Sequence, residues 1–149
     1  MVNIIRKTSK NPAVKALKIT TCAVIRKGDK FLLVRRKMGK YHGGLWTFPG
    51  GRPDARETAD QAVKREVREE TGLEVSVQNL LFAYAMKNDH PTERGQHPYI
   101  GILFYRCKPL TQKVTPGDDA DRFAWMTLEG MKALKMRPAM YKAIKKIAR

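Results

Sequence analysis

The chain has 149 residues, of which 42% are apolar and 30% charged, and its formal net charge is +16. This length suits one domain with its own core, and the apolar content argues against disorder. No apolar run approaches the roughly 20 residues of a membrane-spanning helix, and the N-terminus lacks a secretory apolar core. We therefore expect a single domain over residues 1–149 of a cytoplasmic protein with no membrane association.

The first third of the chain predicts strands joined by short turns. The segments "LKITTCAVIR" (17–26) and "FLLVRR" (31–36) are rich in strand-forming residues, and "KGDK" between them is a hairpin signal. A glycine-rich loop then leads to "LWTFPGG", which predicts a short strand broken at Pro49-Gly50-Gly51. The sequence therefore predicts that this region is β-structure ending in a loop.

The second half of the chain alternates further strands with a terminal helix. Segments 74–86 and 99–108 predict strands, and another is expected around Trp125. Pro138 lies near the start of a helical pattern. Strands interleaved with helices predict a mixed α/β domain.

A helix over residues 58–71 is marked at both ends. Thr58 followed three residues later by Gln61 fits a capping box. Gly72 stands where a left-handed C-terminal cap belongs. We therefore expect the segment between them to have a fixed helical phase.

Carboxylates interrupt the inward face of this helix. At 100° per residue, Glu66 and Glu70 fall within the apolar stripe of Val63 and Val67, and Glu69 flanks it. Buried carboxylates are costly to desolvate and repel one another at this spacing. A divalent cation would offset both costs. For an isolated charged helix, the alternative is a solvated patch paired with neighbouring arginines.

The segment "GRPDARETADQAVKREVREETGL" (51–73) matches every defining position of the Nudix box, which it closely resembles. The looser likeness of "FLLVRR", "GLWTFPGG" and "GDDADRFAWMTLEGM" extends to most of the chain. The resemblance implies an α/β/α sandwich with a mixed sheet. It also implies hydrolysis of a pyrophosphate bond in a nucleoside diphosphate linked to another moiety, with Mg²⁺ or Mn²⁺ as cofactor.

The resemblance also assigns roles within the box. It implies that metal ligands come from Glu66, Glu69, Glu70 and the Gly50 carbonyl. Glu57 is expected to support the site, and Arg65 to orient a carboxylate through a charge-assisted hydrogen bond. A set of Ser, His and Asp residues is not needed for this chemistry.

Outside the box, one more acidic residue is expected to act. Family members differ in their general base, and the candidates are Glu93, Asp118, Asp119 and Asp121. The likeness of the Trp125 region favours Asp119 as a metal or catalytic residue, against a role in forming the turn.

Three further residues are predicted to bind the substrate. Arg36 is expected to contact phosphate, against a plain surface charge, although Arg35 at the same strand end is the alternative. Trp46 is a candidate for stacking on a base, although core packing is favoured for it. Tyr41 is expected to cover the nucleotide from a glycine-rich loop. These three positions lie outside the Nudix box itself.

The substrate is less determined than the reaction. The flanking segments most resemble the branch labelled ADP-ribose pyrophosphatase, so ADP-ribose or a nucleotide sugar is slightly favoured over a nucleoside triphosphate. The basic termini and net charge keep RNA 5′-end hydrolysis or decapping as an alternative. A non-catalytic nucleotide-sensing domain is the remaining alternative, and a homodimer is left open.

Overall fold

The computed structural model describes residues 17–87 and 99–147 of the chain. Three predicted features lie outside the described residues: the basic segment before residue 17, the polar loop that contains Glu93, and Arg149. Within the described ranges, no helix is both long and apolar enough to cross a membrane.

The helices and strands of the described ranges follow the predicted order. They are β1 (Leu17–Lys27), β2 (Lys30–Arg36), β3 (Trp46–Thr47), α1 (Ala59–Thr71), β4 (Val75–Lys87), β5 (Tyr99–Pro109), β6 (Ala120–Thr127), α2 (Leu128–Met131) and α3 (Pro138–Ile147). The predicted strands and the two longer helices are confirmed. The short helix α2 was not predicted, because four residues are too few for a helical periodicity.

The strands form one mixed sheet in the order β3-β2-β1-β5-β4, with β6 paired to β2. Strands β1 and β5 run parallel, and the other pairs are antiparallel. The hairpin of β1 and β2 is paired only near its turn, through Arg26 with Phe31 and Lys27 with Lys30. Upstream of the turn the two strands diverge, so the backbone of β1 is available there to another segment.

Alternation along β1 divides the core between the two faces of the sheet. Cys22 and Val24 lie in a buried cluster with Met140 of α3. Ala23 and Ile25 lie in a second cluster with residues of α1. Successive strand residues point to opposite faces, so each face of the sheet carries one of the longer helices. The predicted α/β/α sandwich is confirmed.

Both cysteines belong to these apolar clusters. Cys22 and Cys107 are buried and form no disulfide. Burial raises the pKa of each thiol to about 12. A thiol with so high a pKa stays protonated at neutral pH and is a poor metal ligand.

Candidate active site

The caps of α1 fix which side chains the helix presents to the sheet. The Thr58 hydroxyl accepts a hydrogen bond from the Gln61 N–H (3.2 Å), and the Gln61 side chain accepts one from the Thr58 N–H (2.9 Å). Gly72 ends the helix in the left-handed conformation, with φ of 75°. The predicted capping box and C-cap are confirmed, so the phase of the helix is set locally.

Three carboxylates of α1 are graded from the core to the solvent. Glu70 is only 4% exposed and lies beside the buried Val67. The side chain of Glu66 is 15% exposed and that of Glu69 is 41% exposed. The helix therefore presents a row of carboxylates that begins in the core and ends at the surface.

The segment 49–51 lies in the gap between the diverging strands. The N–H of Ala23 donates to the Pro49 carbonyl (2.7 Å), and that of Thr21 donates to the Gly51 carbonyl (2.8 Å). A Cβ on Gly50 would fall 2.0 Å from the Thr21 carbonyl oxygen, so the approach requires glycine. The loop is thus held on β1, next to α1.

Gly50 also touches the buried end of the carboxylate row. Its N–H donates to Oε2 of Glu70 at 3.2 Å. The carbonyls on either side of it, of Pro49 and Gly51, are both taken by β1. The expectation that the Gly50 carbonyl binds a metal ion stays a prediction, and this geometry places the residue against the predicted ligand Glu70.

Arg65 of α1 lies within ion-pair distance of four acidic side chains. It donates to both oxygens of Glu57 (2.8 and 3.0 Å), to Glu66 (2.9 Å) and to Glu69 (3.2 Å). Asp54 lies 3.4 Å from its Nε. The hydrogen bond from Arg65 is the main cause that lowers the pKa of Glu57. Arg65 therefore orients Glu66 and Glu69, and Glu57 in turn orients Arg65.

The electrostatics of the buried carboxylates favour the binding of a cation. Burial, followed by the charge of Glu66, raises the pKa of Glu70 well above its ordinary value. Burial also raises the pKa of Glu66, although the bond from Arg65 opposes the shift. A divalent cation in their midst would stabilise the charged forms of both groups.

A residue from a distant loop completes an acidic group. Among the described residues, Glu66, Glu69 and Asp118 offer ligand oxygens that all lie within 4.8 Å of one another. The N–H of Gly117 donates to the Glu70 carbonyl (3.1 Å), which anchors the loop on the end of α1. Asp118 was one of the predicted candidates but was not the one favoured. Two adjacent aspartates in the sequence do not reveal which of them lies near the glutamates, whereas the structure brings the Asp118 carboxylate to Glu66 and Glu69.

The favoured candidate, Asp119, faces a different set of residues. Its carboxylate lies 3.4 Å from Nζ of Lys40 and 4.0 Å from the guanidinium of Arg36. Its role in metal binding or catalysis stays a prediction, although Asp118 occupies the place nearer the glutamates. Asp121 pairs with both ends of Arg35, at 2.8 and 2.9 Å. Of the two adjacent arginines, Arg35 is thus engaged in an ion pair with Asp121 of β6.

The three predicted substrate-binding residues lie near one another but in different environments. Arg36 donates from Nε to the Tyr41 carbonyl at 2.8 Å, and its charge acts on Glu70. The ring of Tyr41 is exposed and contacts the ring of His42. Trp46 packs partly against the core cluster on the α3 face. The geometry supports Arg36 most directly, and the roles of Tyr41 and Trp46 stay predictions.

The donor set fits a hard divalent cation. The groups brought together there are carboxylates, which Mg²⁺ and Mn²⁺ prefer as ligands. Glu66, Glu69 and Asp118 would hold such an ion, with Glu70 and Gly50 on the buried side. The buried thiols lie outside this donor set.

The chain is similar in sequence to proteins of known family. A family model described as the NUDIX domain matches residues 16–147. The ADP-ribose pyrophosphatase of Methanocaldococcus jannaschii is 34% identical over 111 residues, which cover 74% of this chain and 62% of that protein. A MutT-like protein of Streptomyces ambofaciens is 36% identical over 104 residues, covering 70% and 59%. The chain thus spans about three fifths of the length of these curated relatives.

A solved structure shows the same fold. The MutT NUDIX hydrolase from Burkholderia pseudomallei superposes with a TM-score of 0.75 at 21% identity, over 88% of this chain and 98% of that one. At this identity the likeness concerns the fold alone. The family match over residues 16–147 covers most of the chain. The chain belongs to the Nudix family.

Proposed function

We propose that the protein is a Mg²⁺- or Mn²⁺-dependent pyrophosphohydrolase that releases a nucleoside monophosphate from a nucleoside diphosphate derivative. The observation that carries this proposal is the convergence of Glu66 and Glu69 with Asp118 beside the buried Glu70. Arg65 offsets part of the repulsion between Glu66 and Glu69, and a cation with its phosphate ligand would offset the remainder together with the cost of burying Glu70.

The chain's own residues supply positioning and proton transfer. When bound, the metal would neutralise phosphate oxygens and acidify a water molecule. Arg65 holds Glu66 and Glu69 in place, and Glu57 fixes Arg65 through two hydrogen bonds. A carboxylate of the cluster accepts the proton of the attacking water. Arg36, whose charge acts on Glu70, would meet the negative charge of the substrate.

Two substrates are candidates within this class. ADP-ribose, slightly favoured by the sequence, has support from the name of the Methanocaldococcus jannaschii relative. A nucleoside triphosphate has support from relatives named 8-oxo-dGTP diphosphatase and Nucleoside triphosphatase NudI. The cations that lie near the site also affect which of these two substrates is preferred.

The purified protein with Mg²⁺ or Mn²⁺ tests the proposal against ADP-ribose and the common ribonucleoside and deoxyribonucleoside triphosphates. Cleavage of ADP-ribose gives AMP and ribose 5-phosphate, whereas cleavage of a triphosphate gives a monophosphate and pyrophosphate. Glu69→Gln, which leaves the fold intact because the side chain is largely exposed, is the matched inactive control. Binding of these nucleotides without any metal-dependent turnover would point instead to a sensing domain.

A further inference from the structure

A group of cations lies beside the carboxylates of the candidate active site. It consists of Lys18 on β1, Arg36 at the end of β2, Arg52 after the glycine pair and Arg137 before α3, and we call it the basic cluster. Burial and the charges of the three arginines lower the pKa of Lys18. Burial and the charge of Arg36 likewise lower the pKa of Arg137. These cations therefore repel one another across a shared space.

Arg137 is the member with a buried side-chain atom that has no partner. In the part of the chain that the structure describes, its Nε is buried and makes no hydrogen bond. In residues 17–87 and 99–147, no carboxylate forms an ion pair with its guanidinium. Arg137 as a whole is half-buried, but its Nε is shielded from water, and buried polar atoms almost always have a partner. An anionic ligand would supply the partner and relieve the repulsion among the cations.

The backbone fixes where this guanidinium starts. The N–H of Arg137 donates to the Trp46 carbonyl (3.1 Å), and the N–H of Trp46 donates to the Lys135 carbonyl (2.8 Å). Pro138 restricts the backbone of the residue before it. Arg137 is thus held between β3 and α3, two ordered elements, which suits a residue that positions a ligand.

Its surroundings join the basic cluster to the metal carboxylates. Glu70 and Tyr41 both interact electrostatically with Arg137, and Glu70 also interacts with Arg36. A ligand bound at the carboxylates would therefore extend toward Arg36 and Arg137. The basic cluster has four cations. Within the described residues, Asp119 is the carboxylate that forms an ion pair with one of them, Arg36.

We propose that Arg137, together with Arg36 and Lys18, binds a substrate phosphate that lies beyond the cleaved anhydride, and that the protein therefore selects nucleoside triphosphates over ADP-ribose. The inference rests on the proposed function and chooses between its two substrates. ADP-ribose carries its phosphates only in the cleaved bridge, whereas a triphosphate carries a further one. Guanidinium and phosphate form charge-assisted, often bidentate hydrogen bonds.

Steady-state kinetics on both substrates test this selection, with wild type, Arg137→Gln, Arg137→Lys and the control Arg106→Gln, which removes an exposed arginine of β5. We expect wild type to prefer a triphosphate by at least about tenfold in kcat/KM, the span of one charge-assisted contact. Arg137→Gln should abolish that preference through KM, and Arg137→Lys should restore part of it. A wild-type preference for ADP-ribose, or equal losses on both substrates, would overturn the proposal.

A metal-free binding experiment separates this proposal from the proposed function. Calorimetric titration with α,β-methylene-ATP in EDTA should give a dissociation constant at least about tenfold weaker for Arg137→Gln than for wild type and Arg106→Gln. This difference should appear even if no substrate is hydrolysed. The melting temperature of ligand-free Arg137→Gln should equal or exceed that of wild type, because the buried Nε without a partner and the repulsion between Arg137 and Arg36 are both removed. Equal dissociation constants, or a lower melting temperature, would assign Arg137 a structural role instead.

Discussion

Gly51 lies directly against the Glu66 carboxylate: a Cβ on residue 51 would fall 2.5 Å from Oε1 of Glu66. The backbone at Gly51 is not free to retreat, because its carbonyl accepts hydrogen bonds from both the N–H and the hydroxyl of Thr21, at 2.8 and 2.9 Å. A side chain at this position must therefore displace Glu66. Glycine at position 51 is thus required for the Glu66 carboxylate to keep its place.

Gly51→Ala should accordingly lower kcat by at least about 10²-fold while the fold is retained, since misplacement of a catalytic group by about 1 Å has this effect. Gly130→Ala is the matched control, because its new Cβ would meet the flexible end of the Met126 side chain. Steady-state kinetics and thermal unfolding of both variants check the prediction. Near-wild-type turnover by Gly51→Ala would show that Glu66 needs no fixed position.

Glu70→Gln should separate catalysis from stability. We expect kcat to fall by at least about 10²-fold, in line with the loss of one key electrostatic group. Because burial raises the pKa of Glu70, this carboxyl group holds its proton more tightly in the folded protein than in the unfolded chain. The contribution of Glu70 to stability is therefore present below the pKa that the group has in the unfolded chain. It is lost as the pH rises through the raised pKa of the group in the folded protein. Glutamine does not titrate, so the metal-free variant should become the more stable protein toward neutral pH.

Thermal unfolding in EDTA checks this sign. The melting temperatures of wild type and Glu70→Gln should be closest near about pH 4, the range of an unperturbed glutamate, and should diverge as pH increases. Added Mg²⁺ should stabilise wild type more than the variant. A difference that does not change with pH would mean that Glu70 does not titrate with a raised pKa.

Removal of the metal ion should abolish activity and lower stability. We expect no turnover in EDTA and recovery with Mg²⁺ or Mn²⁺. A ligand that binds only the folded state adds about 2.7 kcal/mol to the free energy of unfolding at a concentration of 100 Kd. The melting temperature should therefore rise with Mg²⁺ in wild type, and rise much less in Glu69→Gln. Full turnover in metal-free buffer would contradict this prediction.

Asp118 and Asp119 form a matched pair of adjacent aspartates with different surroundings. Asp118→Asn should raise the Mg²⁺ concentration for half-maximal activity by about tenfold or more, because its carboxylate lies within reach of Glu66 and Glu69. Asp119→Asn should leave the Mg²⁺ requirement unchanged and act on KM, because it pairs with Arg36 and Lys40. Metal titrations of activity distinguish the two. If Asp119→Asn changed the Mg²⁺ requirement and Asp118→Asn changed only KM, Asp119 would be the metal ligand, as the sequence predicts.

The basic face of α3 should not contribute to the hydrolysis of small nucleotides. Lys142, Lys145 and Lys146 are exposed there, and Gln at all three positions should leave kcat/KM for a nucleotide almost unchanged. If RNA is the substrate, the same variant should bind it more weakly and with a flatter salt dependence, by about 0.7 log units per lost phosphate contact on single strands. Binding of a 5′-triphosphorylated oligonucleotide over a range of salt concentrations decides between these outcomes.

Local interactions allowed the sequence to predict α1 and most of its carboxylates. The capping box at Thr58 and the left-handed Gly72 are short-range signals, and they fix the helical phase. From that phase, 100° per residue places Glu66 and Glu70 on the buried face without knowledge of the remaining fold. The order of strands and helices along the chain was equally predictable, because strand-forming runs separated by turn signals are local features of the sequence.

Long-range contacts decided the rest of the site. Asp118 lies close to Glu66 only because the loop before β6 is bonded to the end of α1, and residue spacing carries no trace of that contact. For the same reason, sequence favoured Asp119, whose carboxylate faces Lys40 instead. In the sequence Arg137 is one of several charges in a basic tail. In the structure its backbone is held between β3 and α3, and its charge interacts with that of Arg36. A sequence determines which side chains a helix presents, whereas the path of the chain through the sheet determines which of them meet.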